Sequence, residues 1–148
     1  MAASFPILIV DDDPSIADIL QRAAQHSFVE AEFIPVHSFT QASLYIEGLQ
    51  GRGPRLVLLD LDLQSELTGL DFLTLWRAHP QGRLVPVVVL SANQNQARAG
   101  ETYVRGANAF STKPTSYQDW KRYVSELRQY WFETVTTPKL WFENETEP

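Results

Sequence analysis

The stretch Arg55-Leu56-Val57-Leu58-Leu59-Asp60-Leu61-Asp62 decides how the rest of the chain reads. Four consecutive apolar residues that break on carboxylates describe a strand buried on both faces, ending where a sheet meets water. Asp60 stands at that edge. Phe5-Pro6-Ile7-Leu8-Ile9-Val10 ends likewise on Asp11-Asp12-Asp13, and Pro86-Val87-Val88-Val89-Leu90 ends on Ser91-Ala92. In an open parallel sheet, ligands bind outside the carboxyl ends of the strands, where strand order reverses. If the first and third strands are neighbours they lie about 4.8 Å apart, so Asp11, Asp12 and Asp60 share one small pocket. Carboxylates that crowded need a cation.

Strand and helix alternate five times, which favours an α/β fold with a mostly parallel sheet and right-handed crossovers. Asp13-Pro14-Ser15 predicts a helix start, with Asp13 as N-cap and Pro14 at the first helical position. A short second strand is expected over 31–35. Ser38-Phe39-Thr40-Gln41 fits a capping box opening a second helix, and Gly51-Arg52-Gly53-Pro54 reads as a turn into the Asp60 strand. The third helix is predicted over Gly69 to Ala78, with Leu70, Leu73 and Trp76 inward. The fourth, Gln94 to Arg105, is oddly polar: only Ala97, Val104 and Tyr103 are there to anchor it, and Gly106 fits its C′ position. Asn108 to Ser111 is the fifth strand, leading into Thr112-Lys113-Pro114. From Ser116 to about Val135, Trp120, Tyr123, Val124, Leu127 and Trp131 recur at helical spacing and leave Tyr130 and Phe132 off the stripe.

Eighteen acidic against 12 basic residues give a formal charge of -6, the wrong sign for binding phosphate backbones by counterion release, which argues against nucleic acid as a direct partner. Absence of cysteine excludes a disulfide framework and a thiolate metal site. Met1-Ala2-Ala3-Ser4-Phe5 is too short and uncharged for a signal peptide, and no apolar run approaches the roughly 20 residues that span a bilayer. The expectation is a cytoplasmic protein of one domain without membrane contact.

A magnesium ion takes oxygen ligands and keeps several waters, so one or two carboxylates suffice to hold it. A carboxylate is also a competent nucleophile toward phosphorus once the approaching anion is neutralised, and Asp60 is the candidate. Lys113 and the hydroxyl of Ser91 sit at strand ends where they could stabilise the transferred charge. Taken singly these features are ordinary: an Asp-Asp pair after a strand is more often a cap or solvated turn than a metal site. What gives them weight is four strand ends bringing complementary polar groups to one edge.

Ile7 to Pro14, Leu56 to Asp62, Val88 to Ala92 and Gly106 to Pro114 together resemble the receiver domain of two-component response regulators, over about residues 5 to 130. The resemblance implies a flavodoxin-like, doubly wound, five-stranded parallel sheet of order 2-1-3-4-5 with helices on both faces. It implies that Asp60 takes a phosphoryl group from a histidine kinase or phosphotransfer protein. Asp11 and Asp12 would bind magnesium together with Asp60 and the backbone carbonyl of Asp62. Ser91 and Lys113 would bind the phosphoryl oxygens, and Phe110 would be the aromatic that turns inward when Ser91 moves. Gln64 stands where the family commonly has proline, and Gln64-Ser65-Glu66-Leu67-Thr68 is one residue longer than usual. Asp62 adds a carboxylate near the incoming group. An altered aspartyl-phosphate lifetime is therefore predicted, and equal dephosphorylation of wild type and Asp62→Asn would refute it.

Residues 1–135 are expected to form the receiver domain and 136–148 a C-terminal extension, too short for an output domain, so that the protein acts through its own surface. Tyr130-Trp131-Phe132 and Trp141-Phe142 resemble the extended end of single-domain regulators paired with phytochrome-type histidine kinases. Composition leaves open whether this tail folds back on the domain or joins a kinase or homodimer interface, the latter through the face of the fourth helix, fifth strand and fifth helix. Glu143 to Pro148 is expected to fray. Two rivals stand beside this reading. In an aspartate-nucleophile phosphohydrolase, Asp62 would protonate the leaving group. In an interaction module, the fold would never be phosphorylated. Histidines 26, 37 and 79 show no metal or triad spacing.

Overall fold

In the computed structural model, residues 3–64, 67–93 and 95–143 are described. In chain order the elements are β1 (Phe5–Val10), α1 (Pro14–Ser27), β2 (Ala31–Val36), α2 (Phe39–Glu47), β3 (Gly51–Arg52), β4 (Leu56–Asp60), α3 (Gly69–Ala78), β5 (Val87–Ser91), α4 (Gln96–Val104), β6 (Ala109–Thr112), α5 (Tyr117–Leu127) and β7 (Trp141–Phe142). The main sheet runs β2-β1-β4-β5-β6 with every pair parallel. With the two-residue strands β3 and β7 set apart, this is the 2-1-3-4-5 order of a flavodoxin-like fold.

Each central strand buries both faces, as its unbroken apolar run requires. Ile7, Ile9, Leu56, Leu58, Val88 and Leu90 pack with Leu20 of α1 and Trp120, Val124 and Leu127 of α5. Their neighbours in sequence, Leu8, Val10, Val57, Leu59, Val87 and Val89, face the other way onto Ala42 and Ile46 of α2 and Phe72, Leu73 and Trp76 of α3. The alternation is the period-2 geometry of a strand carried through both layers.

Local signals place the helices. The Asp13 side chain accepts from the Ser15 amide and Pro14 opens α1. Ser38 accepts from the Gln41 amide, but the Gln41 side chain reaches back to the His37 amide instead of closing the box on Ser38. Gly69 starts α3 so tightly against the end of β4 that a Cβ there would lie 2.4 Å from the Asp60 carbonyl oxygen.

Three expectations need correction. Helix α4 is not anchored by Ala97 and Val104: Ala97 is exposed, Val104 is 88% exposed and only Thr102 is buried, while the exposed Tyr103 holds the helix through its hydroxyl, which accepts from the Phe110 amide. The Thr102 hydroxyl donates to the Ala99 carbonyl within its own helix, so its polar atom is satisfied and its methyl can be buried. The last helix does not run α-helically to Val135. It changes at Arg128–Thr134 into a π-helical turn, closed by the Val135 amide donating to the Tyr130 carbonyl. Trp131 keeps its place against the α1/α5-side core, and the widened turn brings Phe132 in beside it, its ring meeting Phe5 edge-on at 5.7 Å and Phe28 at 5.8 Å.

Finally, Gly51-Arg52 is more than a turn. It pairs antiparallel with Trp141-Phe142, Gly51 opposite Phe142. Phe142 is fully buried, stacked on Trp76 at 6.1 Å. A Cβ on Gly53 would overlap its ring at 2.2 Å, so only glycine admits it. The tail through Glu143 thus folds back on its own domain, while Asn144 to Pro148, within the stretch expected to fray, lie outside the described residues.

Candidate functional site

Four loops converge where the strands end. Pairing of Val10 with Leu59 and of Asp60 with Leu90 sets the tips of β1, β4 and β5 side by side, and Ser91 pairs with Thr112 on β6. Asp11 and Asp60 are 3% and 4% exposed, and Ser91 is fully buried. One carboxylate oxygen each of Asp11, Asp12 and Asp60 lies within 4.8 Å of the others. Lys113 enters from β6 and sets its Nζ 2.9 Å from Asp11 Oδ2 and 3.5 Å from Asp60 Oδ2.

Backbone amides hold the other oxygens. Asp13 N donates to Asp11 Oδ1 at 2.9 Å, Asp62 N to Asp60 Oδ1 at 3.0 Å and Gln64 N to Asp12 Oδ2 at 3.0 Å. These bonds orient the carboxylates without cancelling their charge. Burial accordingly pushes the Asp60 carboxyl up to about 6. Asp11 adds to the rise, and the Asp62 amide and Lys113 oppose it. Burial alone would lower the Lys113 amine, but the Asp11 and Asp60 carboxylates more than reverse this and hold it above its ordinary value. Three carboxylates against one ammonium leave an excess of negative charge around hard oxygen donors, the chemistry that a small divalent cation fits.

Ser91 follows Leu90, the residue opposite Asp60. Its hydroxyl accepts from the Asn93 amide at 3.3 Å, and its carbonyl accepts from the Lys113 amide at 2.8 Å, binding the two tips together. Phe110 is half-buried at the margin of the α2/α3-side core, and its amide donates to the Tyr103 hydroxyl on α4 at 3.2 Å. All the predicted residues therefore gather at one edge, Phe110 one strand away. Ser65 and Glu66 of the lengthened loop lie outside the described residues.

Three contacts escaped the sequence reading. Arg98 of α4 pairs with Asp62, Nη2 to Oδ1 at 2.7 Å. The His37 ring lies 3.3 Å from the Asp11 carbonyl. The Tyr103 hydroxyl ties α4 to β6. Only Arg98 had a readable signal, as a cation in the first turn of a helix, where the dipole disfavours one.

A doubly wound parallel sheet with a buried acidic cup and a lysine at its switch point defines a class of proteins built to hold a cation beside one carboxylate. This chain belongs to the response regulator receiver domain family, whose pattern matches residues 7–125. It is 31% identical over 130 residues to the probable methanogenesis regulatory protein FilR2 of Methanothrix harundinacea, covering 86% of this chain and 83% of that one. It is 29% identical over 136 residues to response regulator Rcp1 of Synechocystis, covering 89% and 92%. A crystal structure of the Mn2+-bound form of response regulator Rcp1 superposes with a TM-score of 0.75 at 28% identity, over 90% of this chain and 99% of that one. The crystal structure of the phosphorylated cyanobacterial phytochrome response regulator RcpA gives 0.82 at 27% identity, over 93% and 100%.

Proposed function

We propose that this protein is a single-domain response regulator that accepts a phosphoryl group on Asp60 from a histidine kinase or phosphotransfer protein. One observation carries the reading: a buried carboxylate at a strand tip, with an ammonium 3.5 Å away and two further carboxylates within 4.8 Å. One oxygen of Asp60 attacks phosphorus, the phosphorus–nitrogen bond to the donor histidine breaks, and the imidazole leaves with the bonding pair. A magnesium ion held by Asp11, Asp12, Asp60 and the Asp62 backbone carbonyl would neutralise charge on the transferred group. Lys113 and the Ser91 hydroxyl bind the phosphoryl oxygens, drawing the tips of β5 and β6 toward Asp60. Movement of Ser91 lets Phe110 turn inward, and α4, with Thr102 as its one buried residue, is the element that shifts.

A partner kinase of the phytochrome type is supported by the likeness to RcpA, whose coverage of 93% of this chain reaches beyond the matched residues 7–125. The reading places the protein in the cytoplasm. In support, no helix among the described residues is long and apolar enough to cross a membrane. A homodimer through α4, β6 and α5 would use the exposed Tyr103, Val104 and Tyr117. The phosphohydrolase rival gains nothing from the geometry, since Asp62, its proposed acid, is engaged by Arg98.

The test is intact mass after incubation with magnesium and a small acyl phosphate. Wild type gains one phosphoryl group and Asp60→Asn gains none; an adduct that persists on Asp60→Asn overturns the assignment.

A further inference from the structure

Arg98 stands at an odd place. It is the third residue of α4, after the Asn95 cap whose side chain accepts from the Ala97 and Arg98 amides, and no acidic residue shares that first turn. The amino end of a helix carries partial positive charge, so a cation there is disfavoured by the helix itself. Its counter-charge comes from another element: Arg98 Nη2 lies 2.7 Å from Asp62 Oδ1. Asp62 is divided between two tasks, its amide orienting Asp60 Oδ1 at 3.0 Å while its carboxylate faces α4. The pair lines a recess of about 260 Å³ with Leu61, Leu63, Gln64 and Thr68.

Counting the rim, Asp11, Asp12, Asp60 and Asp62 are set against Lys113 and Arg98. Lys113 is committed to Asp11 and Asp60, and among the described residues Arg98 is the cation paired with Asp62. A phosphoryl donor is an anion and meets this field before it meets Asp60.

We propose that Arg98 is a positioning residue for phosphoryl transfer: by pairing with Asp62 it removes a repulsive charge from the approach to the acceptor. This rests on the reading of Asp60 as phosphoacceptor. A purely structural bolt between α4 and the loop would make a different prediction, because losing either partner breaks a bolt equally. Charge compensation makes the two losses opposite in sign. Losing Arg98 exposes Asp62, whereas losing the Asp62 charge removes the need for Arg98.

The experiment compares initial rates of phosphorylation by acetyl phosphate with magnesium, read by intact mass, for wild type, Arg98→Ala, Asp62→Asn and the double variant. At low ionic strength Arg98→Ala should be slower by about threefold to tenfold, as expected for one uncompensated rim charge. Asp62→Asn, which keeps the backbone amide and carbonyl and removes only the side-chain charge, should be faster than wild type, and adding it to Arg98→Ala should restore the rate. With side chains 32% and 45% exposed, the pair is open to salt, so about 0.5 M salt should narrow the spread. Equal slowing by Arg98→Ala and Asp62→Asn, or no rescue in the double variant, overturns the proposal while wild type still forms its adduct. Wild type that forms none removes the receiver reading and this inference together.

Discussion

Where the strands leave the sheet, charge is concentrated; where they enter it, aromatic rings are. At the leaving edge Asp11, Asp60 and Ser91 are polar groups buried at 3%, 4% and 0% exposure, with Asp11 and Asp60 sharing one lysine and Asp12 beside them. At the entering edge Phe5, Phe28 and Phe132 close one layer, and Trp76, His79 and Phe142 close the other. At that end Arg128 bonds both oxygens of Glu30 at 3.0 Å, and Arg55 donates to the buried Thr137 hydroxyl. A site that must attract a cation and an incoming phosphoryl group cannot neutralise itself, so it costs stability that the opposite end supplies.

Substitutions at the two ends should therefore separate. The largest effect is expected from Asp60→Asn, which abolishes phosphoryl acceptance and, without metal at neutral pH, raises the melting temperature by removing an ill-solvated carboxylate. Next comes Phe142→Ala at the aromatic end. Emptying a fully buried ring site costs about 3 kcal/mol, bounded by the free energy that holds the tail down, and should leave the phosphorylation rate of the folded protein unchanged. Urea unfolding with parallel intact-mass kinetics checks both. A change in rate with Phe142→Ala would mean that the two ends are coupled and the comparison fails.

The same contrast explains what could be read in advance. Continuous apolar runs ending on polar residues are a one-dimensional signal, so the five main strands and the group Asp11, Asp12, Asp60, Ser91 and Lys113 were legible. Helix α3 falls on its predicted span, Gly69–Ala78. What was lost depends on partners far apart in sequence. Strands β3 and β7 have two residues each, too few for any period, and exist because Phe142 finds the space above Gly53. Phe132 was misplaced because the π-helical turn changes the phase of the helix within one turn. In α4 the apolar residues are not the ones facing inward; a threonine with a satisfied hydroxyl is, and composition carries no mark of that. Arg98 is legible as an ill-placed cation in the first turn of a polar helix, but nothing in one dimension names Asp62 as its partner.

The smallest effect expected at the charged edge is its dependence on pH, and its sign distinguishes the two ends. The Asp60 carboxyl is raised from 3.8 to about 6, so the folded protein holds that proton more tightly than the unfolded chain. Its contribution to stability is most favourable below about pH 4 and is lost as pH rises through about 6, a change on the order of 3 kcal/mol at most. Asp13, lowered by its bonds from Ser15, and Glu30, lowered by Arg128, act the other way: they stabilise above their ordinary range and lose that as pH falls. Metal-free protein should thus lose stability between about pH 4 and 6, magnesium should offset the loss above about 6, and Asp60→Asn should remove both the loss and the offset. Melting curves with chelator and with magnesium at each pH test this. A difference between wild type and Asp60→Asn that is the same at pH 5 and pH 8 would show that Asp60 is not the strained carboxylate, leaving the excess charge of the leaving edge to Asp11 and Asp12.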